Sequence, residues 1–209
     1  MPQTLLALLA LSLSSLLVFN QQRLTVRAQT QMVSNELALA GSGLSSDIME
    51  MVGARSFDEG STPEKIHAAS AVPSNPAGFT SPATLGASPG VVCNLLVPDG
   101  QCDDIDDIRG IEGEIYEVEL TADRSLAFAV WTDVVYVTDA EGGEPSDVPT
   151  RHKKVTIEIK SLNDQSAAPP LTFARVFSYD PVKAEMDYER IYGPIGTGDT
   201  GGGGTVIIN

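Results

Sequence analysis

The first quarter of the chain shows two successive apolar patterns. Residues 4–19 carry no charged side chain, and half of them are Leu. Farther along, apolar residues recur at spacings of three, four and seven, which puts them on one stripe of a helix. The stripe consists of Val26, Val33, Leu37, Ala40, Leu44, Ile48 and Met51. The pattern predicts one long helix over residues 1–54, apolar all round in residues 4–19 and amphipathic in residues 24–52.

Two glycines interrupt the amphipathic half of this helix. Gly41 and Gly43 each weaken a helix by roughly 1 kcal/mol relative to Ala. We therefore expect a bend or a melted turn between the two halves of the stripe.

A strand pattern follows in the second half of the chain. Four runs are rich in β-branched and aromatic residues and are separated by turn residues. They are residues 115–120, 126–137, 153–160 and 171–179. In the third run apolar and polar residues alternate, so Val155, Ile157 and Ile159 are predicted to point into the core. Short loops favour an antiparallel sheet, and packing of the helical stripe on it predicts an α+β fold.

The remaining segments are rich in Pro, Gly and Ser. Residues 55–92 are predicted to be a surface connection, residues 93–180 the β domain, and residues 181–209 a Gly-rich tail. The tail ends in a short apolar run that we expect to dock as a strand, on its own sheet or on a neighbouring subunit. That run contains Val206, Ile207 and Ile208.

Two cysteines lie at the start of the β domain. Cys93 and Cys102 are separated by eight residues that include the turn sequence Pro98-Asp99-Gly100. A turn closes so short a loop easily, and a disulfide is therefore predicted, which favours an oxidising compartment. The alternative is two free thiols in a cytosolic loop.

The charge balance of the chain narrows the choice of partners. The formal net charge is -15, which argues against nucleic acid as a partner, because phosphate neutralisation needs clustered Lys and Arg. Acidic residues cluster in residues 103–107, where the spacing does not match an EF-hand calcium loop. We interpret that segment as a solvated acidic turn.

Candidate catalytic residues are few. His67 lies in the connection and His152 begins a strand beside two lysines, so neither belongs to a convincing Ser-His-Asp arrangement. The glycine run at residues 201–204 is followed by neither Lys nor a helix, unlike a phosphate-binding loop. The sequence therefore predicts a protein without enzymatic activity, cofactor or metal.

Three interpretations of the apolar start are possible. A cleavable secretory signal needs a basic beginning, which Met1-Pro2-Gln3 lacks. A membrane anchor is a second possibility, although a sixteen-residue helix is only about 24 Å long. The third is a helix that rests in the membrane and later becomes the core of a filament.

The third arrangement is that of type IV pilins and their relatives. The chain resembles them in residues 3–9, which open the long helix, and in three later segments of the β region. Those segments are residues 102–108, 133–137 and 153–159. The family usually carries a Glu near the start of the mature helix. Depending on the first mature residue, Ala7 or Leu5 takes its place here, so assembly through that Glu is not expected.

The resemblance implies the structural subunit of an extracellular, pilus-like filament. Its partners would be copies of itself in a helical homopolymer and, before assembly, the inner membrane. The expected assembly core consists of Leu5, Leu6, Leu8, Leu9, Leu11, Leu13, Leu16, Leu17, Val18 and Phe19. The stripe residues would pack the helix on the sheet. Alternatives are a minor pseudopilin of a secretion or pilus machine and a helix-anchored monomeric binding module at the cell surface.

Overall fold

Four strands form one antiparallel sheet in the order β1-β2-β3-β4. A computed structural model describes residues 2–87, 91, 93–96, 102–162 and 170–195, with the backbone alone for residues 2, 4–8 and 10. The strands are β1 (Glu114–Thr121), β2 (Arg124–Tyr136), β3 (His152–Ser161) and β4 (Leu171–Ser178). Each strand begins and ends within two residues of its predicted limits. The predicted α+β layout of one long helix and an antiparallel sheet is confirmed at this level.

Helix α1 (Pro2–Ala54) precedes the sheet and is continuous. The backbone is helical through Gly41 and Gly43, so a melted turn does not form there. Gly41 lies where the helix approaches the sheet: a Cβ built there would be 2.9 Å from Leu171 Cδ1. A Cβ at Gly43 would meet nothing within 4 Å. The first glycine therefore serves close packing, and the second does not.

The core lies between the last part of α1 and one face of the sheet. Leu44, Ile48 and Val52 are buried at helical spacing, with Met49 beside them. They belong to one apolar cluster with inward-facing residues of β2 and β3. These include Phe128, Val130, Val155, Ile157 and Ile159. The alternation predicted for β3 places these side chains as expected.

The connection between α1 and the sheet is more ordered than its composition suggested. It contains helix α2 (Pro63–Ala69), and Phe57, Ile66 and Phe79 along it are buried. The rings of Phe57 and Phe79 lie 5.3 Å apart and both pack against Tyr179. The connection thus contributes buried side chains to the domain, while residues 67–78 are exposed or partly exposed.

The segment predicted to be a Gly-rich tail begins with a helix. Helix α3 (Pro181–Tyr192) is capped by Asp180, whose side chain accepts a hydrogen bond from Val182 N–H, and Pro181 occupies its first turn. It packs on α2, where His67 stacks on Tyr192 with ring centroids 4.5 Å apart. The docking predicted for Val206, Ile207 and Ile208 falls outside the described residues.

Candidate functional site

Helix α1 extends well beyond the sheet domain. Every residue from 11 to 35 is exposed, a stretch of about 37 Å at 1.5 Å per residue. The exposed residues include most of the expected assembly core, with exposed fractions between 51% for Val18 and 68% for Leu11. They are Leu9, Leu11, Leu13, Leu16, Leu17, Val18 and Phe19. The side chains of Leu5, Leu6 and Leu8 lie outside the description.

The helical stripe contacts the sheet over only part of its length. Val26 and Val33 were expected to pack on the sheet, but they are 60% and 49% exposed. Leu37 and Ala40 are partly buried against the core. Leu44 and Ile48 are buried in it, and Met51 is half-buried. The stripe faces one direction as predicted, but the sheet reaches only its last part.

An ion pair marks where the helix reaches the domain. Both terminal nitrogens of Arg124, at the start of β2, donate to the carboxylate of Glu36 at 3.1 and 3.0 Å. All 28 acidic residues of the chain lie from Glu36 onward, with 11 of the 13 basic residues. The projecting helix is therefore nearly neutral, whereas the domain that carries it is strongly acidic.

The predicted disulfide between Cys93 and Cys102 is present, with Cα atoms 5.6 Å apart. Both sulfurs belong to buried residues. The acidic segment follows directly, and Ser56 anchors it from the other side. Ser56 N–H donates to Asp103 O at 3.0 Å, and Ile105 N–H donates to Ser56 O at 2.9 Å. These contacts fix residues 103–106 against the chain that leaves α1.

The acidic segment is not the solvated turn that the sequence suggested. Asp104 and Asp106 are 1% and 3% exposed, while Asp103 and Asp107 are half-buried. Asp104 Oδ1 accepts hydrogen bonds from the N–H groups of Asp106 and Asp107, at 2.8 and 3.1 Å. Within the described residues, no group of three or more His, Cys, Asp or Glu side chains is arranged to hold a metal ion. The cation that meets these carboxylates is a lysine.

Lys153 of β3 is fully buried and lies at the centre of this cluster. Its Nζ donates to Asp58 Oδ2 at 2.8 Å, to Asp106 Oδ1 at 2.5 Å and to Phe57 O at 2.7 Å. An ammonium has three protons, and each has an acceptor. The ring of Phe57 lies 4.7 Å from Nζ and that of Tyr136 5.1 Å. We call Lys153, Asp58, Asp106, Asp104 and Tyr136 the buried lysine cluster.

Asp58 has the most hydrogen bonds in the buried lysine cluster. Its Oδ1 accepts from Gly60 N–H at 3.2 Å and from the backbone and hydroxyl of Thr80 at 3.0 and 3.2 Å. Its Oδ2 accepts from Tyr136 Oη at 2.9 Å and from Lys153. Five donors thus hold this carboxylate in one orientation.

Asp104 differs from Asp58 in its electrostatic environment. Burial, followed by the charges of Asp106 and Asp107, raises the pKa of Asp104 to about 9. Its side chain is hydrogen-bonded to that of Asp106. At neutral pH Asp104 is therefore a protonated acid that donates to the Asp106 carboxylate. Burial also raises the pKa of the Tyr136 hydroxyl, which stays protonated.

Sequence reasoning missed this cluster, although the signal was available. The alternation that points Val155, Ile157 and Ile159 inward also points Lys153 inward, one strand period earlier. His152, its neighbour, faces the other way and lies 2.8 Å from Ser178 Oγ on β4. His152 and Ser178 are directly opposite in the ladder, so this contact follows from strand register.

No protein-family model, curated protein or solved structure matches the chain. Among the helices in the described residues, none combines enough length and apolar character to cross a membrane.

Proposed function

We propose that this chain is the structural subunit of an extracellular filament that polymerises through the projecting part of α1, in the manner of type IV pilins. One observation carries the proposal. The helix exposes Leu, Val or Phe side chains at nine positions of residues 9–26, seven of them in residues 9–19, and Arg23 is the first charged residue. Apolar patches of this extent on soluble proteins mark interaction surfaces.

Burial among copies of the same helix removes this apolar surface from water. Each fully buried Leu or Phe side chain contributes about 1.5–3 kcal/mol, so a few such residues are sufficient for stable association. The acidic domains repel one another and stay at the outside, where their charges are solvated. The neutral helix therefore provides the contacts, and the domain provides the surface of the filament.

In this proposal the subunit is located in the membrane before assembly. Residues 4–19 are the uncharged part of the chain that would lie in it. Secretion in this way accords with the disulfide between Cys93 and Cys102, because disulfides persist outside the reducing cytoplasm.

A matched pair of charged variants tests the proposal. Leu16→Asp places a charge in the apolar segment, and Ser46→Asp places the same charge on the exposed side of α1 beside the domain. We expect negative-stain microscopy to show filaments for the natural protein and Ser46→Asp, and none for Leu16→Asp. A buried, unpaired carboxylate costs several kcal/mol among packed apolar helices. Circular dichroism should show the same folded sheet in all three.

Two results would contradict the proposal. Filaments of normal length from Leu16→Asp would show that the apolar segment is not the assembly core. A natural protein that remains monomeric once released from the membrane would instead favour the helix-anchored binding module.

A further inference from the structure

The buried lysine cluster combines a primary amine, two carboxyl groups and a proton donor in one apolar enclosure. Lys153 and Asp58 are completely buried, and Asp106 is 3% exposed. Aromatic rings of Phe57 and Tyr136 flank the amine. Replacement of a buried ion pair by apolar side chains of similar volume often leaves stability unchanged or increases it. Stability alone therefore does not explain such a cluster. A chemical reaction between its side chains is another explanation.

We propose that Lys153 and Asp106 form an intramolecular amide bond in the mature protein. Nζ of Lys153 lies 2.5 Å from Oδ1 of Asp106, so the two reacting groups are already in contact. The side chains come from β3 and from the segment after the disulfide, 47 residues apart along the chain. This modification is independent of the proposed filament function.

The reaction is a condensation that requires no cofactor or oxidant. The ammonium of Lys153 passes a proton to Asp58 Oδ2, 2.8 Å away. The lone pair of the neutral Nζ then attacks Cγ of Asp106. The Nζ–Cγ bond forms, Nζ gives up a second proton, and one Cγ–O bond of Asp106 breaks. The departing oxygen leaves as water with that proton and one from Asp104, and the proton held by Asp58 restores Asp104. An ammonium and a carboxylate thus become one amide and one water, with no change in total charge.

Two neighbours have defined roles in the proton transfers. Asp58 is the proton acceptor because its orientation is fixed by Gly60, Thr80 and Tyr136, and because it contacts Nζ directly. Asp104 is hydrogen-bonded to Asp106 and supplies the proton that the departing oxygen takes up. The raised pKa of Asp104 keeps that proton available at neutral pH.

The surroundings favour the amide over the separated ions. Burial disfavours charged groups, and condensation removes one positive and one negative charge from the interior. Exclusion of bulk water also protects the amide from hydrolysis. Asp106 is the acceptor of the bond rather than Asp58, because Asp58 would lose the carboxylate that accepts hydrogen bonds from five donors.

Mass spectrometry of the full-length protein provides a direct test. After reduction and denaturation, the natural protein should be lighter than its sequence mass by one water. Trypsin separates the candidates, because Asp58 lies in the peptide of residues 56–65 and Asp106 in that of residues 66–109. We expect the peptide of residues 152–154, uncleaved after Lys153, joined to residues 66–109. Fragment ions should locate the link at Asp106.

A matched control excludes an unrelated loss of water. The sequence Asp99-Gly100 can itself lose water by forming a succinimide, and it lies in the same peptide. Lys153→Arg keeps this dipeptide and the positive charge but has no amine, so it should show no linked peptide. Asp58→Asn removes the proton acceptor and should leave a measurable unlinked fraction. Complete linkage in Asp58→Asn would refute the role of Asp58.

The mass of the natural protein decides the proposal even where a variant fails to fold. A full sequence mass, a loss of water without a linked peptide, or a link to residues 56–65 or to Asp104 would each overturn it.

Discussion

Glu36 and Arg124 form a bidentate ion pair, at 3.1 and 3.0 Å, where α1 first meets the sheet domain. Both side chains are substantially exposed, at 39% and 51%. Exposed pairs of this kind stabilise a protein by only about 0.2–1 kcal/mol and are screened by salt. The pair therefore marks where the helix leaves the domain and contributes little to the stability of the fold.

A double-mutant cycle measures this pair. Glu36→Gln and Arg124→Gln should each lower the free energy of unfolding slightly, with a coupling energy of about 0.2–1 kcal/mol at low salt. Urea denaturation at 50 mM and 1 M NaCl is the measurement, and the coupling should fall at high salt. A coupling unaffected by salt would show that the pair is shielded from solvent.

The two glycines of α1 should respond differently to Ala. Gly43→Ala should stabilise the protein by about 0.5–1 kcal/mol, because the helix gains propensity and the new Cβ meets nothing within 4 Å. Gly41→Ala should gain less or lose stability, since its Cβ would lie 2.9 Å from Leu171 Cδ1. Equal gains in urea denaturation would mean that Leu171 moves aside freely.

Removal of the disulfide should lower the stability of the protein, even though the loop that it closes is short. Replacing Cys93 and Cys102 by Ser should lower the free energy of unfolding by about 2–3 kcal/mol, on the chain-entropy estimate. Non-reducing peptide mapping should find the link in protein from its native compartment. Rapid alkylation of both thiols without reductant would contradict it.

The buried acid predicts a pH dependence. The folded-state pKa of Asp104, about 9, lies above its unfolded value, so the folded state binds more protons between pH 4 and pH 9. Its contribution to stability therefore falls as pH rises across that window. Asp104→Asn mimics the protonated acid and should reduce this slope in thermal unfolding. Asp123→Asn, in an exposed turn, is the control and should change the slope little.

Filament assembly should depend on salt. Because the acidic residues lie from Glu36 onward, neighbouring domains repel one another in the proposed filament. At 0.15 M salt the Debye length is about 8 Å, and this repulsion is largely screened. Light scattering should show faster assembly at 0.15 M than at 0.01 M NaCl. The opposite trend would point to ionic contacts between subunits as the main source of assembly.

The sequence predicted the sheet well because strand alternation is a local pattern. It predicted which face of α1 is apolar, but not how far the sheet extends, so Val26 and Val33 were placed on a surface that ends before them. Helix α3 was missed because the later Gly run dominated the composition, although Asp180-Pro181 is a helix start signal.

The buried lysine cluster escaped prediction for a different reason. Lys and Asp are rarely buried unless paired, so residues 103–107 were interpreted as a solvated turn. The pairing joins residues that are 47 and 95 positions apart along the chain. A local sequence pattern cannot show that residues so far apart along the chain are in contact. For Lys153 the alternation of β3 was nevertheless a sufficient signal.

The position of Lys153 also determines how the protein carries mechanical load. Just after Ala54, Ser56 pairs with Asp104, and Lys153 holds Phe57 and Asp58. Lys153 belongs to β3, an inner strand of the sheet. In the proposed filament, tension that passes through the end of α1 would therefore load an inner strand, which is hydrogen-bonded on both sides. An edge strand, by contrast, would peel away one bond at a time.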